Sequence, residues 1–315
     1  MTRPSPAELP VALFAYRRRD ELAQTLAGLE QAGFRRITAF SEAPASEAEA
    51  PLVEQVRELL AAVRWADVEL VEREEHLGLS GSIRSGLDQL FAREERVVVI
   101  EEDIAVAAEF GRYVAAALER YAGEERVAGI TGHRMPFSRR WLRGHPYDAF
   151  MLPRFFGWGW ASWGRAWPTF DRDGDRLLER LRSGSVRVEV GGADLAWMLR
   201  RTLVERSLIG GWDTECAASM LLNDQLFVCP AWNMVENRGL GTGTHPQSPR
   251  WTLRFEAEHR PGDLDRLRWP PVAVNPRIAK GFRIFTENPR GWTLRRLVPR
   301  PLRNVARRLR GTYEL

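Results

Sequence analysis

The chain has 315 residues, 44% of them hydrophobic and 28% charged, which is enough to bury a full core and is ordinary for a globular protein rather than a disordered or membrane-embedded one. Its net charge of +4 is unevenly spread: eight arginines and no acid stand between Asn288 and Tyr313, so the rest of the chain is net acidic. No stretch reaches the roughly 20 apolar residues of a membrane span, Met1 to Pro10 lacks the apolar run of a signal peptide, and Cys216 and Cys229 have no metal-site spacing, so a reduced, cytoplasmic setting is expected.

In chain order, Val11 to Tyr16 reads as a short buried strand and Asp20 to Gln31 as the helix after it. Arg36 to Ser41 is a second strand, Pro51 to Val63 a helix, Val68 to Val71 a third strand and Ser80 to Phe91 a helix. Arg96 to Ile100, with four β-branched aliphatics in a row, is the clearest buried strand; helix Ala107 to Tyr121 and strand Val127 to Thr131 complete the alternation. Strand and helix in turn predict an α/β fold with a mostly parallel sheet and helices on both faces. From Gly132 the alternation stops and tryptophan becomes dense. Gly157-Trp158-Gly159-Trp160-Ala161-Ser162-Trp163 reads as a tight loop laying aromatic rings into a cleft. Helices over Ala193 to Ser207 and Thr214 to Leu222, a strand over Leu226 to Cys229 and a glycine-rich loop ending at His245 follow. One domain is expected, with a C-terminal helical extension. Leu302, Val305, Ala306 and Leu309 give its Arg-rich helix one apolar stripe, which suits an anionic membrane surface and equally a helix packed on its own domain.

Ligands of open parallel sheets bind beyond the carboxyl ends of the strands. Those positions hold Tyr16-Arg17-Arg18-Arg19, Ser41-Glu42, Arg73 with His76-Leu77-Gly78-Leu79, and Glu101-Glu102-Asp103. Three acids directly after four aliphatics are costly to bury without a neutralising partner, and a divalent cation that also takes phosphate oxygens would serve. A solvated turn before a helix is the alternative reading. Arg73 and Arg84 are further candidates for phosphate.

These motifs, together with Ser82-Ile83, the tryptophan loop, Trp212-Asp213 and Asn237-Arg238-Gly239 to His245, resemble in order and spacing the family-2 and N-acetylglucosaminyltransferase-I-like glycosyltransferases from about Pro10 to His245. The resemblance implies a GT-A fold with a Rossmann-like sheet in residues 1–250, a nucleotide-sugar-binding half (1–131), an acceptor half (132–250) and an extension (251–315). It implies that Asp103 and His245 bind Mn²⁺ or Mg²⁺, and that Ala15, Tyr16, Arg17, Glu42, Arg73, His76, Gly78, Ser82, Glu101 and Glu102 hold the nucleotide-sugar. Glu42 stands where the family commonly has Asp, and His76 where it has Asn. Gly157, Trp158, Gly159 and Trp160 would line the acceptor side, and Asp213, ahead of Glu215, would be the general base of an inverting transfer. A UDP-sugar donor, a saccharide, lipid-linked or small-molecule acceptor, no nucleic acid, and peripheral contact with the inner face of the membrane complete the expectation. A sugar nucleotidyltransferase would want a Lys-containing glycine loop near the N-terminus, whereas the single lysine is Lys280. A non-catalytic carbohydrate-binding protein would keep the tryptophans without needing the acids.

Overall fold

The computed structural model describes residues 5–184, 186–205, 211–239 and 264–287. Its centre is a sheet of eight strands: β1 (Pro10–Ala15), β2 (Arg36–Ser41), β3 (Asp67–Glu72), β4 (Arg96–Glu101), β6 (Val127–Thr131), β7 (Ala149–Leu152), β8 (Trp160–Trp163) and β9 (Leu226–Pro230). They lie in the order β3-β2-β1-β4-β8-β6-β9-β7, and only β8 and β7 run against the rest. The mostly parallel, Rossmann-like sheet expected from the alternation of strand and helix is therefore present.

β1, β7, β8 and β9 are buried at every position because both faces of the sheet are covered there, whereas the edge strand β3 alternates Asp67, Glu69 and Glu72 with apolar residues and stays partly exposed. Along β1, Ala12 and Phe14 enter one core while Val11, Leu13 and Ala15 enter the other, the period-2 alternation of a pleated strand. Helices α1 (Arg19–Gln31), α2 (Ala50–Ala61) and α4 (Phe110–Arg120) cover the second face. The first is covered by α3 (Gly78–Phe91), α5 (Gly174–Arg182), α6 (Leu195–Leu199), α7 (Trp212–Leu222) and α8 (Pro276–Thr286).

Three differences from the sequence reading matter for the site. The tryptophan segment is a loop only as far as Gly159; Trp160 to Trp163 form β8, hydrogen-bonded to β4 on one side and β6 on the other. The glycines before it, of which Gly159 has φ +54°, masked the short strand that follows. The helix expected over Ala193 to Ser207 is a short α6 running into a wider turn over Arg200–Val204. Part of the expected extension belongs to the main core: Ile278, Phe282 and Phe285 are buried there, and Val274 bridges to Met151 of β7. The arginine-rich segment after Asn288 and His245 both lie outside the described residues. Among the described residues no helix is long and apolar enough to cross a membrane.

Two short strands complete the frame. β5 (Ile104–Val106) follows the acidic tip of β4 directly and pairs antiparallel with β10 (Val235–Asn237), placing Asn237 opposite Ile104. This pairing carries the chain after Asn237 back over Asp103.

Candidate active site

The site is built at the carboxyl end of β4. Burial pushes the carboxyl groups of Glu101, Glu102 and Asp103 above the ordinary carboxylate range. Glu101 is pushed furthest, after burial by the charges of Asp103, Asp213 and Glu102. Asp213, distant in sequence, therefore acts electrostatically on Glu101. All three hold protons more firmly in the folded chain, so they favour the fold at low pH and oppose it as pH rises through their raised values.

One cation answers them. The Arg18 guanidinium pairs with Asp103 and comes within 3.9 Å of Glu102. The backbone packs tightly around this pair: Arg238 N–H donates to the Asp103 carbonyl at 2.7 Å, and a Cβ added at Gly239 would stand 2.0 Å from Asp103 Oδ2. Glycine at 239 is thus what lets the returning chain lie on the acidic tip.

Glu102 has a separate task. Its Oε2 accepts the backbone N–H of Tyr16 at 2.6 Å and of Arg18 at 3.4 Å, while its carbonyl accepts from the Thr25 hydroxyl at 2.8 Å. It ties the loop after β1 to the tip of β4.

That loop makes one wall of a polar recess. The Tyr16 phenol donates to Glu49, which also pairs with Arg17, and the Tyr16 ring lies 5.2 Å from that of His76. His76 Nδ1 is 2.9 Å from the Ala43 carbonyl, which can only accept, so this nitrogen carries the hydrogen. Glu42 is buried; its Oε1 accepts from the backbone N–H of Ala43 and Leu77, and its Oε2 has no donor among the described residues. A buried acceptor left open beside an aromatic pair suits a ligand bringing hydroxyl or N–H groups. Ala15, Tyr16, Arg17, Glu42 and His76 thus come together, with Gly78, at φ +67°, turning the chain into α3. Arg73 is held differently, over the Phe40 ring and donating to the Ser85 hydroxyl at 2.9 Å, and Ser82 is buried in α3.

Asp213 sits in the first turn of α7, half-buried, its Oδ1 accepting the Thr214 N–H at 2.8 Å; the cap position falls to Gly211. Glu215, two residues further along α7, is paired with Arg84, so its charge is already taken up.

The aromatic segment divides. Trp158 is half-buried, with its ring 4.7 Å from that of His133. Trp160 is fully buried, stacked on Trp212 at 5.9 Å and edge-on to Phe155, so it backs the wall and offers no surface to a sugar. It lies inside because β8 alternates its side chains between two covered faces. Trp160→Ala is accordingly expected to cost about 3–5 kcal/mol of stability, against under about 2 kcal/mol for Trp158→Ala, as read by denaturant midpoints. Gly157 and Gly159 shape the turn between them; a Cβ at Gly159 would meet Val235 at 2.7 Å.

Sequence reasoning missed two contributors. Arg18 is one of three consecutive arginines, and only the fold shows which of them turns to the acids. His133 follows β6 and is buried; burial, then the neighbouring Arg134 charge, lower its pKa to about 3, opposed by the Asn233 amide. The folded imidazole stays neutral while the unfolded one takes a proton below about pH 6.5. Its contribution to stability is present above that value and is lost as pH falls toward 3. The acid-side loss of stability is expected to be smaller in His133→Gln than in the parent chain, measured by urea unfolding between pH 7 and 4.5.

Among the described residues no three His, Cys, Asp or Glu side chains are grouped so as to hold a metal ion by themselves. What the tip of β4 offers is a set of hard carboxylate oxygens with a need for positive charge, which fits Mg²⁺ or Mn²⁺ sharing its shell with phosphate.

No family model matches the chain, and no curated protein does. Among solved structures, a mannosyltransferase from Pyrobaculum calidifontis in complex with GDP-Man and Mn²⁺ is similar over 64% of this chain and 55% of that one, at 16% identity and a TM-score of 0.35. HddC from Yersinia pseudotuberculosis, complexed with GMP-PN, is similar over 39% of this chain and 58% of that one, at 15% identity and a TM-score of 0.28. The chain spans little more than half the length of each of these two structures.

Proposed function

We propose that this chain transfers a sugar from a nucleotide diphosphate donor, a UDP-sugar, to an acceptor hydroxyl, with a divalent cation at the tip of β4. The observation that carries this reading is the triplet of largely buried acids at the carboxyl end of a central strand, Glu102 inside and Glu101 and Asp103 half-buried beside it, with Asp213 in the field of Glu101 and the Tyr16–His76 recess nearby. Such a strand end, between a polar recess and an aromatic wall, suits a ligand with a base, a diphosphate and a sugar in line. The reading takes the fold as GT-A, residues 1–131 as the donor half and 132–250 as the acceptor half.

Asp103 is the carboxylate that would hold the cation, and bound there the cation would offset the charge growing on the departing diphosphate. This chain's own residues do the rest. Glu102 fixes the loop that presents Tyr16 and Arg17, and the open Oε2 of Glu42 receives a donor from the nucleoside. Asp213 takes the proton of the acceptor hydroxyl as its oxygen attacks the anomeric carbon, which gives inversion. Glu215, engaged by Arg84, holds the start of α7 in place.

The test is release of nucleoside diphosphate from a panel of sugar nucleotides, with and without Mn²⁺. Mn²⁺-dependent release with sugar transfer is the expected result. Pyrophosphate as the product would instead indicate nucleotidyl transfer, and binding of sugar without turnover a carbohydrate-binding protein.

A further inference from the structure

Three strands beyond the acidic tip, the same edge of the sheet carries a second polar feature. Between β6 and β7 the chain makes a tight turn over Arg139–Trp141, and Arg139, Leu142, Arg143, His145 and Tyr147, with Ala231 after β9, line an open pocket of about 230 Å³. Two arginines, a histidine and a phenol face it, and among the described residues no carboxylate does.

The loop is held in shape. The Arg277 guanidinium at the start of α8 donates to the carbonyls of Arg140 and Arg143, each at 2.8 Å. Its hydrogen bonds go to backbone oxygens, so its charge adds to the loop's. His145 Nε2 is 2.8 Å from the Ala149 carbonyl, which fixes the ring. The nearest acid in the loop, Asp148, is turned to Arg268, whose N–H it accepts at 2.8 Å. Beneath the turn, Arg134 is buried with its Nε unpartnered among the described residues. Burial, then the charge of Arg139, lowers the Arg134 pKa to about 10, as expected where positive charge is left without counter-charge.

A fixed, concave, cationic surface without acids is a site for an anion, and guanidinium groups match phosphate oxygens in two-point contacts. We propose that this pocket binds a phosphate or diphosphate group carried by the acceptor saccharide. The donor's diphosphate is excluded by distance: β9 lies three strand steps from β4, about 14 Å along the sheet edge at about 4.8 Å per step. A second molecule whose hydroxyl reaches Asp213 can place its phosphate there across a short saccharide. This assignment to the acceptor rests on the transferase reading; the anion site itself does not.

The experiment is calorimetric titration of the whole chain with inorganic pyrophosphate in EDTA. Binding is expected, weakened at least tenfold by Arg139→Ala/Arg143→Ala, two exposed positions whose loss leaves the core intact, and kept within twofold by Arg17→Gln in the nucleotide recess. Unchanged binding in the double variant, or its loss in Arg17→Gln, overturns the proposal. So does a double variant that loses only capture by phosphatidylcholine vesicles containing phosphatidic acid while no pyrophosphate binds the parent chain, since the anion is then a lipid headgroup. If pyrophosphate binds through Arg139 and Arg143 but no sugar nucleotide is ever turned over, the anion site stands and the transferase reading alone falls.

Discussion

Asp103→Ala is expected to abolish the Mn²⁺-dependent part of nucleoside diphosphate binding, at least about 100-fold by calorimetry, while the variant stays folded. The loss follows from position: Asp103 is the acid at the very tip, facing Arg18 and lying under the returning chain at Gly239. Removing its carboxylate also lightens the crowding on Glu101, whose proton Asp103 helps to retain, while it takes away the Arg18 ion pair, so the two effects on the folded state oppose each other. A thermal melt run beside the titration separates lost affinity from lost structure. Metal-dependent binding equal to that of the parent chain would remove the cation from this strand end.

The second large effect belongs to Asp213. Asp213→Asn keeps the shape and the hydrogen bond to Thr214 N–H but cannot take a proton, so turnover is expected to fall by about 10²-fold or more with donor affinity unchanged. Glu215→Gln provides the contrast. Its carboxylate is committed to Arg84, and its loss is expected to loosen the start of α7 and reduce the rate by well under 10²-fold. A near-native rate for Asp213→Asn, or the larger loss in Glu215→Gln, would transfer the base role away from Asp213.

The arrangement of β1 to β4 was legible in the sequence because period and chemistry agree there. β1 to β4 are each followed by polar or charged residues, and the parallel order of these strands makes their ends neighbours. The segment after Gly132 was not, because its strands are short and two run antiparallel. Trp160-Ala161-Ser162-Trp163 has the composition of an aromatic loop, and only its pairing with Val97, Val98 and Val99 makes it a strand. Which of Arg17, Arg18 and Arg19 meets the acids depends on the turn of the backbone after β1. Composition carries no trace of that. The same holds for Gly239, whose lack of a side chain matters only because β10 pairs with β5 and brings it onto Asp103.

β8 is bonded to β4 through Trp163, Ser162, Ala161 and Trp160, and to β6 through Ala161 and Trp160, with the Ser162 hydroxyl donating to the Ala128 carbonyl at 2.7 Å. A strand stitched on both sides in the middle of a sheet cannot act as a hinge. The sheet from β4 to β6 therefore moves as one plate, and any closing over a bound molecule would have to come from chain lying above the strand tips. Amide protons of β8 are then among the last to exchange with deuterium, whether or not ligand is added.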